Sequence, residues 1–185
     1  FLCVKGMLRV KRALEANIHR LEGSFVCAST NYEPDMCRIL NWECIDNRYY
    51  DASDGECFIE IKKGQSGMWF NMIRYAEIYV NIGQQGTITI FARYSKKQQR
   101  VLEVFIIDTK EILNFLHMVP TKAACCILLN KDSKRNLHMQ AGATVKDMRE
   151  MASYVVKHPK YKMEKCLKGI LSFKGFKKSK KRKRT

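Results

Sequence analysis

Glu60-Ile61-Lys62 is the segment of this 185-residue chain whose residue types and spacing could do chemistry. On a strand, residues i and i+2 project the same way, so a carboxylate and an ammonium point together into whatever that strand faces. Metal-dependent nucleases need such a pair: carboxylates hold Mg²⁺ or Mn²⁺ beside a scissile phosphate, while a lysine positions or deprotonates the attacking water. Alone the pattern has little specificity. Glu-x-Lys arises by chance in basic proteins, and an exposed ion pair across a strand explains it equally well. A site of this class also needs an acid upstream on a neighbouring strand, and Glu43 stands seventeen residues earlier, after Arg38-Ile39-Leu40-Asn41-Trp42.

The elements that must position these groups are readable in outline. Cys57 to Lys62 alternates as a strand, with Cys57, Ile59 and Ile61 facing one way and Phe58, Glu60 and Lys62 the other. Lys63-Gly64-Gln65-Ser66-Gly67 breaks it. Trp69, Met72, Ile73, Ala76, Tyr79 and Val80 recur at helical spacing and predict a core-packed helix from Met68 to Asn81. Thr87 to Tyr94 and Arg100 to Ile107 read as a hairpin joined by Ser95 to Gln99. Asp108, three before Glu111, starts a helix expected to end near Pro120, and Thr144 with Asp147 offers a capping pair ahead of a helix from Val145 to Lys157, with Met148, Met151, Ala152 and Val155 on one face. Leu2 to Val10 reads as a short strand or strand-helix junction, and Gly23 to Ala28 as a half-buried strand. The expected fold is mixed α/β: a single domain over 1–158, with a mixed β-sheet flanked by helices, followed by a disordered basic tail over 159–185.

Charge points to the kind of partner. Lys157 to Thr185 carries thirteen Lys or Arg and one acid, Glu164, so that segment holds +12 of the +16 net charge. The run Lys177, Lys178, Lys180, Lys181, Arg182, Lys183 and Arg184 repels itself and attracts polyanions or an import receptor, which places the protein in the nucleus; a solvated tail that aids solubility is the plainer alternative. No apolar stretch approaches the ~20 residues that span a bilayer, so no membrane partner is expected. Eight cysteines without a Cys-x-x-Cys pair or a nearby zinc-spaced His argue against structural zinc and for reduced core thiols. Opening at Phe1 without a leader, the chain reads as a fragment or processed piece of something longer.

Four segments in order resemble the DXO/Rat-one-interacting-protein family of RNA decapping exoribonucleases. Phe1-Leu2-Cys3-Val4-Lys5-Gly6-Met7-Leu8 is similar to its Phe-Val-x-Trp-Arg-Gly-x-Leu, and His19 to Pro34 to the strand that follows. Trp42-Glu43-Cys44-Ile45-Asp46 resembles its Gly-Glu-Val-Asp-Cys, and Cys57 to Lys62 its Tyr-Val-Glu-Leu-Lys, with Ile88 to Arg93 like its Val-Val-Gly-Phe-Arg. The resemblance spans Phe1 to about Phe115. It implies a PD-(D/E)xK-like nuclease core, Mg²⁺ or Mn²⁺ held by Glu43, Glu60 and the Ile61 backbone carbonyl, catalysis by Glu60 and Lys62, and an RNA 5′ end bound by Lys5, Lys62 and Glu77.

Departures from the family pattern are as informative. Its substrate-side Arg falls on Lys5, which lacks the planar fork that grips phosphate. The segment supplying an early metal-site acid has no counterpart between Pro34 and Met36-Cys37-Arg38. The Asp of Glu-x-Asp falls on Ile45, with Asp46 one step out of register and so on the other strand face. The Gln of the following helix falls on Glu77. A different alignment uses Glu33-Pro34-Asp35 and also satisfies a Pro-Asp…Glu-x-Lys signature, but proline in a central strand removes a ladder donor. In character the chain is closest to the degenerate insect germline member of the family. That likeness implies a non-catalytic nuclear RNA-binding protein, without a metal cofactor, shielding RNA 5′ ends or scaffolding a piRNA-precursor complex with nuclear protein partners. The alternatives are an active metal-dependent decapping or 5′–3′ exoribonuclease, and an unrelated basic nucleic-acid-binding domain.

Overall fold

In the computed structural model, which describes residues 2–22, 32–45, 47–82, 87–132 and 139–159, the isoleucine-rich runs become the centre of a sheet. β3 (Phe58–Gly64) and β5 (Thr87–Ser95) are parallel, and β6 (Arg100–Asp108) returns antiparallel to β5. β1 (Glu43–Cys44) and β2 (Ala52–Ser53) extend the sheet beyond β3, and β8 (Tyr154–Lys157) edges β6, in the order β1-β2-β3-β5-β6-β8. The architecture is the expected mixed α/β, a mixed sheet flanked by helices.

Strand alternation divides the central residues between two cores. Ile59, Ile61, Ile88, Ile90 and Ile106 pack with Met7, Val10 and Leu14 of α1 (Leu2–Asn17) and Met36, Cys37 and Leu40 of α2 (Tyr32–Leu40). Phe91, Phe105 and Ile107 face the other way. They meet β4 (Gly67–Asn71), α3 (Met72–Glu77), α4 (Thr109–Phe115), α5 (Pro120–Asp132) and α6 (Val145–Met151). Glu60 and Lys62, two and four residues beyond Phe58, project into this second layer.

Several local expectations give way to tertiary structure. Leu2 to Val10 is helical, because Met7, Val10, Leu14 and Ile18 form a single buried stripe at helical spacing. Gly6 lets that helix approach β3, since a side chain there would collide with Cys57 Sγ. The helix expected from Met68 begins only at Met72. Gly67–Asn71 instead pairs antiparallel with β7 (Gln140–Thr144), a partner some seventy residues away, and buries Met68 and Phe70 while exposing Trp69 as a strand does. Ile78–Ile82 then winds as a π-helical turn. The helix after Asp108 ends at Phe115, where His117 turns to a positive φ of 48°, and Pro120 starts a new one. Thr144 and Asp147 form the expected capping box, but that helix stops at Met151, so Ala152 and Val155 lie on the extended segment leading into and along β8 rather than on a helical face. The cysteines at 37, 44, 57, 125 and 126 are free thiols. The expected Gly23–Ala28 strand and the basic tail lie outside the described residues.

Asn71 links strand to helix: its side-chain oxygen accepts the amides of Ile73 at 3.0 Å and Arg74 at 3.1 Å. Loss of an N-cap acceptor costs about 0.5–2 kcal/mol. Asn71→Ala is therefore expected to lower the unfolding free energy by that amount, read as a lower urea midpoint at unchanged m-value, and an unaltered midpoint would show that α3 is held by packing alone.

Candidate active site

The chain entering β2 brings a carboxylate to the Glu-x-Lys strand. The Asp51 amide donates to the Ile59 carbonyl at 3.0 Å, continuing the β2–β3 pairing, and its side chain accepts the Ile61 amide at 2.6 Å. Lys62 Nζ stands 3.6 Å from the Asp51 carboxylate and pairs directly with Glu60 Oε1. From α3, which Asn71 caps, Arg74 reaches the same Glu60 oxygen at 2.6 Å. Two acids and two cations thus meet where β3 faces the first turns of α3. With Met68, Trp69, Asn71 and Tyr75, the Glu60, Lys62 and Arg74 side chains line a cleft of about 190 Å³.

Glu60 is the most constrained member. It is 5% exposed, and its Oε1 is shared by two cations while its Oε2 has no hydrogen-bond partner among the described residues. Burial pushes its carboxyl above the usual carboxylate range; Lys62 opposes that shift and the Asp51 charge adds to it. Two phenols border the acid and stay neutral. Tyr50 is pushed up to about 12 by burial and by the Glu60 charge, and Tyr75, shifted upward by burial, shares a hydrogen bond with Thr89 at 3.4 Å.

A buried carboxylate oxygen without a partner among the described residues suits a cation ligand, since leaving an acceptor unpaired costs free energy. Among the described residues no group of three or more His, Cys, Asp or Glu side chains is gathered to hold a metal. Two carboxylates and a backbone oxygen would nevertheless be a sufficient protein share for Mg²⁺, which proteins commonly hold through one or two carboxylates. The Ile61 carbonyl lies on the same edge of β3 as the Ile61 amide, the edge facing Asp51, and the Tyr32 hydroxyl donates to it at 3.4 Å.

Of the residues singled out from sequence, Glu60, Lys62 and the Ile61 carbonyl assemble with Asp51. Glu43 is exposed on β1 opposite Ser53, on the Glu60 face by alternation but two strands over and one row along. Ile45 donates its amide to the Asp51 carbonyl at 2.9 Å and so flanks Asp51; Asp46 lies outside the described residues. Glu33, Pro34 and Asp35 form the first turn of α2, not a strand, which suits proline at a helix start. Asp35 contacts Arg38 at 3.4 Å. Glu77 ends α3 and pairs with Arg48 at 2.9 Å. Lys5 is exposed on α1, the helix covering the opposite face of the sheet. Lys177, Lys178, Lys180, Lys181, Arg182, Lys183 and Arg184 lie outside the described residues. Asp51 and Arg74 were not singled out from sequence, and Trp69, expected on a core-packed helix, is instead exposed at the cleft. The available signal for Asp51 was an acid nine residues before Glu60, the distance a tight return to an adjacent strand requires. A scan of the sequence against protein-family models finds no match, and no curated protein matches it.

Proposed function

We propose that this chain hydrolyses phosphodiester bonds of nucleic acid in a metal-dependent reaction. The observation that supports this reading above others is the convergence of Asp51, Glu60 and Lys62 beside a charged cleft, with one buried Glu60 oxygen unpartnered among the described residues. Asp51, Glu60 and the Ile61 carbonyl would hold Mg²⁺ or Mn²⁺, which supplies Lewis-acid stabilisation of a phosphoryl oxygen. Lys62, tied to both acids, orients the attacking water. The Arg74 guanidinium, released from Glu60, presents its planar fork to the non-bridging phosphate oxygens. The order α2, β1 to β3, α3, β5 around a Glu-x-Lys strand suits a PD-(D/E)xK-like core, and the likeness to the DXO family favours RNA with an accessible 5′ end. The basic run near residue 180 favours a nuclear setting.

One observation favours the non-catalytic reading, in which the site grips RNA ends without cutting: Lys62 and Arg74 already neutralise Glu60. The deciding experiment incubates the full chain with 5′-labelled capped RNA, uncapped RNA and single-stranded DNA, with Mn²⁺ or EDTA. The hydrolase reading expects Mn²⁺-dependent product that EDTA abolishes. Tight binding with no product under any condition would remove it and promote end-shielding.

The elevated Glu60 pKa sets a pH dependence. Folding raises this pKa above its ordinary 4.5, so the metal-free protein has the associated stability below that pH and loses it as pH rises through the folded value. A cation requires the carboxylate, so protons compete with it over the same window. At a hundredfold excess over Kd, Mn²⁺ stabilises by about 2.7 kcal/mol, roughly 5–10 °C for a chain of this size. The Mn²⁺-induced rise in Tm is expected to be small at pH 5, to grow toward pH 8, and to vanish in Glu60→Gln. A rise independent of pH and of Glu60 would place the cation elsewhere.

A further inference from the structure

Trp69 stands at the mouth of the cleft with 68% of its surface exposed, between the buried Met68 and Phe70. The β4–β7 register sets it opposite Gly142, where an added Cβ would meet the six-membered ring of the indole at 3.1–3.4 Å. One face of the indole therefore rests over the Gly142 backbone and the rest opens to solvent. Trp69 borders two hollows. One is the charged cleft of about 190 Å³; the other, a groove of about 320 Å³, shares Met68 and Trp69 with it and runs along Gly67, Gly142, Ala143 and Thr144.

The two hollows differ in what they can hold. The first is smaller than the roughly 300–1,000 Å³ of pockets that enclose a drug-sized ligand, and its lining is charged, so it fits a phosphate group. The second reaches that range and, among the described residues, has no charged lining residue. Gly67 lets β4 come close to β7 along this groove, because a side chain there would run into the Ala143 carbonyl oxygen. An aromatic wall beside an uncharged trough adjoining a phosphate site matches the shape of a nucleotide, base on one side and phosphate on the other.

We propose that Trp69 is a stacking platform for an unpaired nucleobase, so that the charged cleft acts on single-stranded nucleic acid. The phosphate occupies the Lys62–Arg74 side, and the adjoining base lies on the indole in the groove. This inference rests on the phosphate-binding reading of the cleft. A duplex keeps its base faces stacked on one another, whereas an unpaired base offers its face to an aromatic ring, and every base has such a face, so the selectivity is for strandedness and not for sequence. An aromatic side chain that merely covers a glycine across two strands would have the same position without any ligand.

The experiment uses the full chain with Trp42→Phe, so that Trp69 is the sole tryptophan, in EDTA so that cleavage does not run. Single-stranded and duplex oligonucleotides of one sequence are titrated while Trp69 emission and oligonucleotide anisotropy are read. Stacking predicts that the single strand quenches Trp69 and binds more tightly than the duplex. Trp69→Ala then weakens single-strand binding about tenfold, or ~1.4 kcal/mol, and Trp69→Phe restores most of it. Gly142→Val, which displaces the ring without removing it, produces the Ala-like loss. Thermal melts show whether each variant is folded. Unchanged emission, together with Trp69→Ala binding as tightly as its parent, overturns the inference and leaves Trp69 as a cover for Gly142. If Mn²⁺-dependent cleavage persists in that case, the hydrolase reading survives. Quenching and Trp69-dependent affinity without cleavage would leave stacking intact and remove the hydrolase reading instead.

Discussion

Glu60→Gln is expected to lower Mn²⁺-dependent cleavage by about a thousandfold or more while leaving the protein folded. The substitution preserves the shape of the side chain and its ability to accept from Lys62 and Arg74, but removes the negative charge that would hold a cation at the unpartnered oxygen. Metal stabilisation of a phosphoryl transition state is worth several kcal/mol, and each ~1.4 kcal/mol is a factor of ten in rate. Asp51→Ala is expected to act in the same direction and to lose more than the charge. Its carboxylate orders the Ile61 amide at 2.6 Å, and that contact fixes the strand carrying Glu60 and Lys62. Single-turnover assays at saturating RNA separate the two causes. A loss confined to the cleavage step, with Kd for RNA held within about threefold, is the signature of a missing metal ligand. A Glu60→Gln protein that cleaves at the parental rate would remove Glu60 from the chemistry altogether.

Glu103→Gln is expected to give the largest loss of stability. Glu103 is 1% exposed on β6 and accepts Arg93 from β5 at 3.0 Å and Arg149 from α6 at 2.8 Å. Removing one member of a buried ionic group strands the others, typically at 3–5 kcal/mol; Arg149, half exposed, can turn to water, so about 3 kcal/mol is expected. For a chain of this size that is roughly 6–12 °C in Tm. Arg149→Ala should cost far less, because Arg93 remains to pair with Glu103. A Glu103→Gln melt within about 2 °C of the parent would show that the two arginines are solvated well enough to dispense with the acid.

What was legible in the sequence is what neighbours decide. The Thr87–Ile107 hairpin, the Cys57–Lys62 strand with its two faces, the Asp108 cap and the Thr144–Asp147 capping box all follow from residues within a few positions of one another. The misreadings have distant partners. Trp69, Met72, Ile73 and Ala76 satisfy a helical period, yet Gly67–Asn71 is drawn into a strand by β7, whose pairing no local pattern announces. Leu2–Val10 carries enough apolar residues for either period, and burial against the Ile59–Ile61 face selects the helix. In the candidate site, Glu60 and Lys62 were visible because the i, i+2 spacing is itself local. Asp51 was not: it sits in a run of polar and turn-forming residues, and only the return of the chain beside β3 gives it a role. Glu43 satisfied the order of acids but not the row in which they must stand.

The separation between Gly67 and Thr144 bears on the order of assembly during synthesis. Asp51, Glu60, Lys62 and Arg74 lie close together in the chain and can meet through short loops, which close quickly. The wall that seats Trp69 arrives only with Gln140–Thr144, after β5, β6 and two helices have been made. With synthesis at about 5–20 residues per second, the four charged residues are made several seconds before Gln140–Thr144. During that interval Met68 and Trp69, which line the charged cleft, lack the strand they pair with, so the cleft is completed late in synthesis.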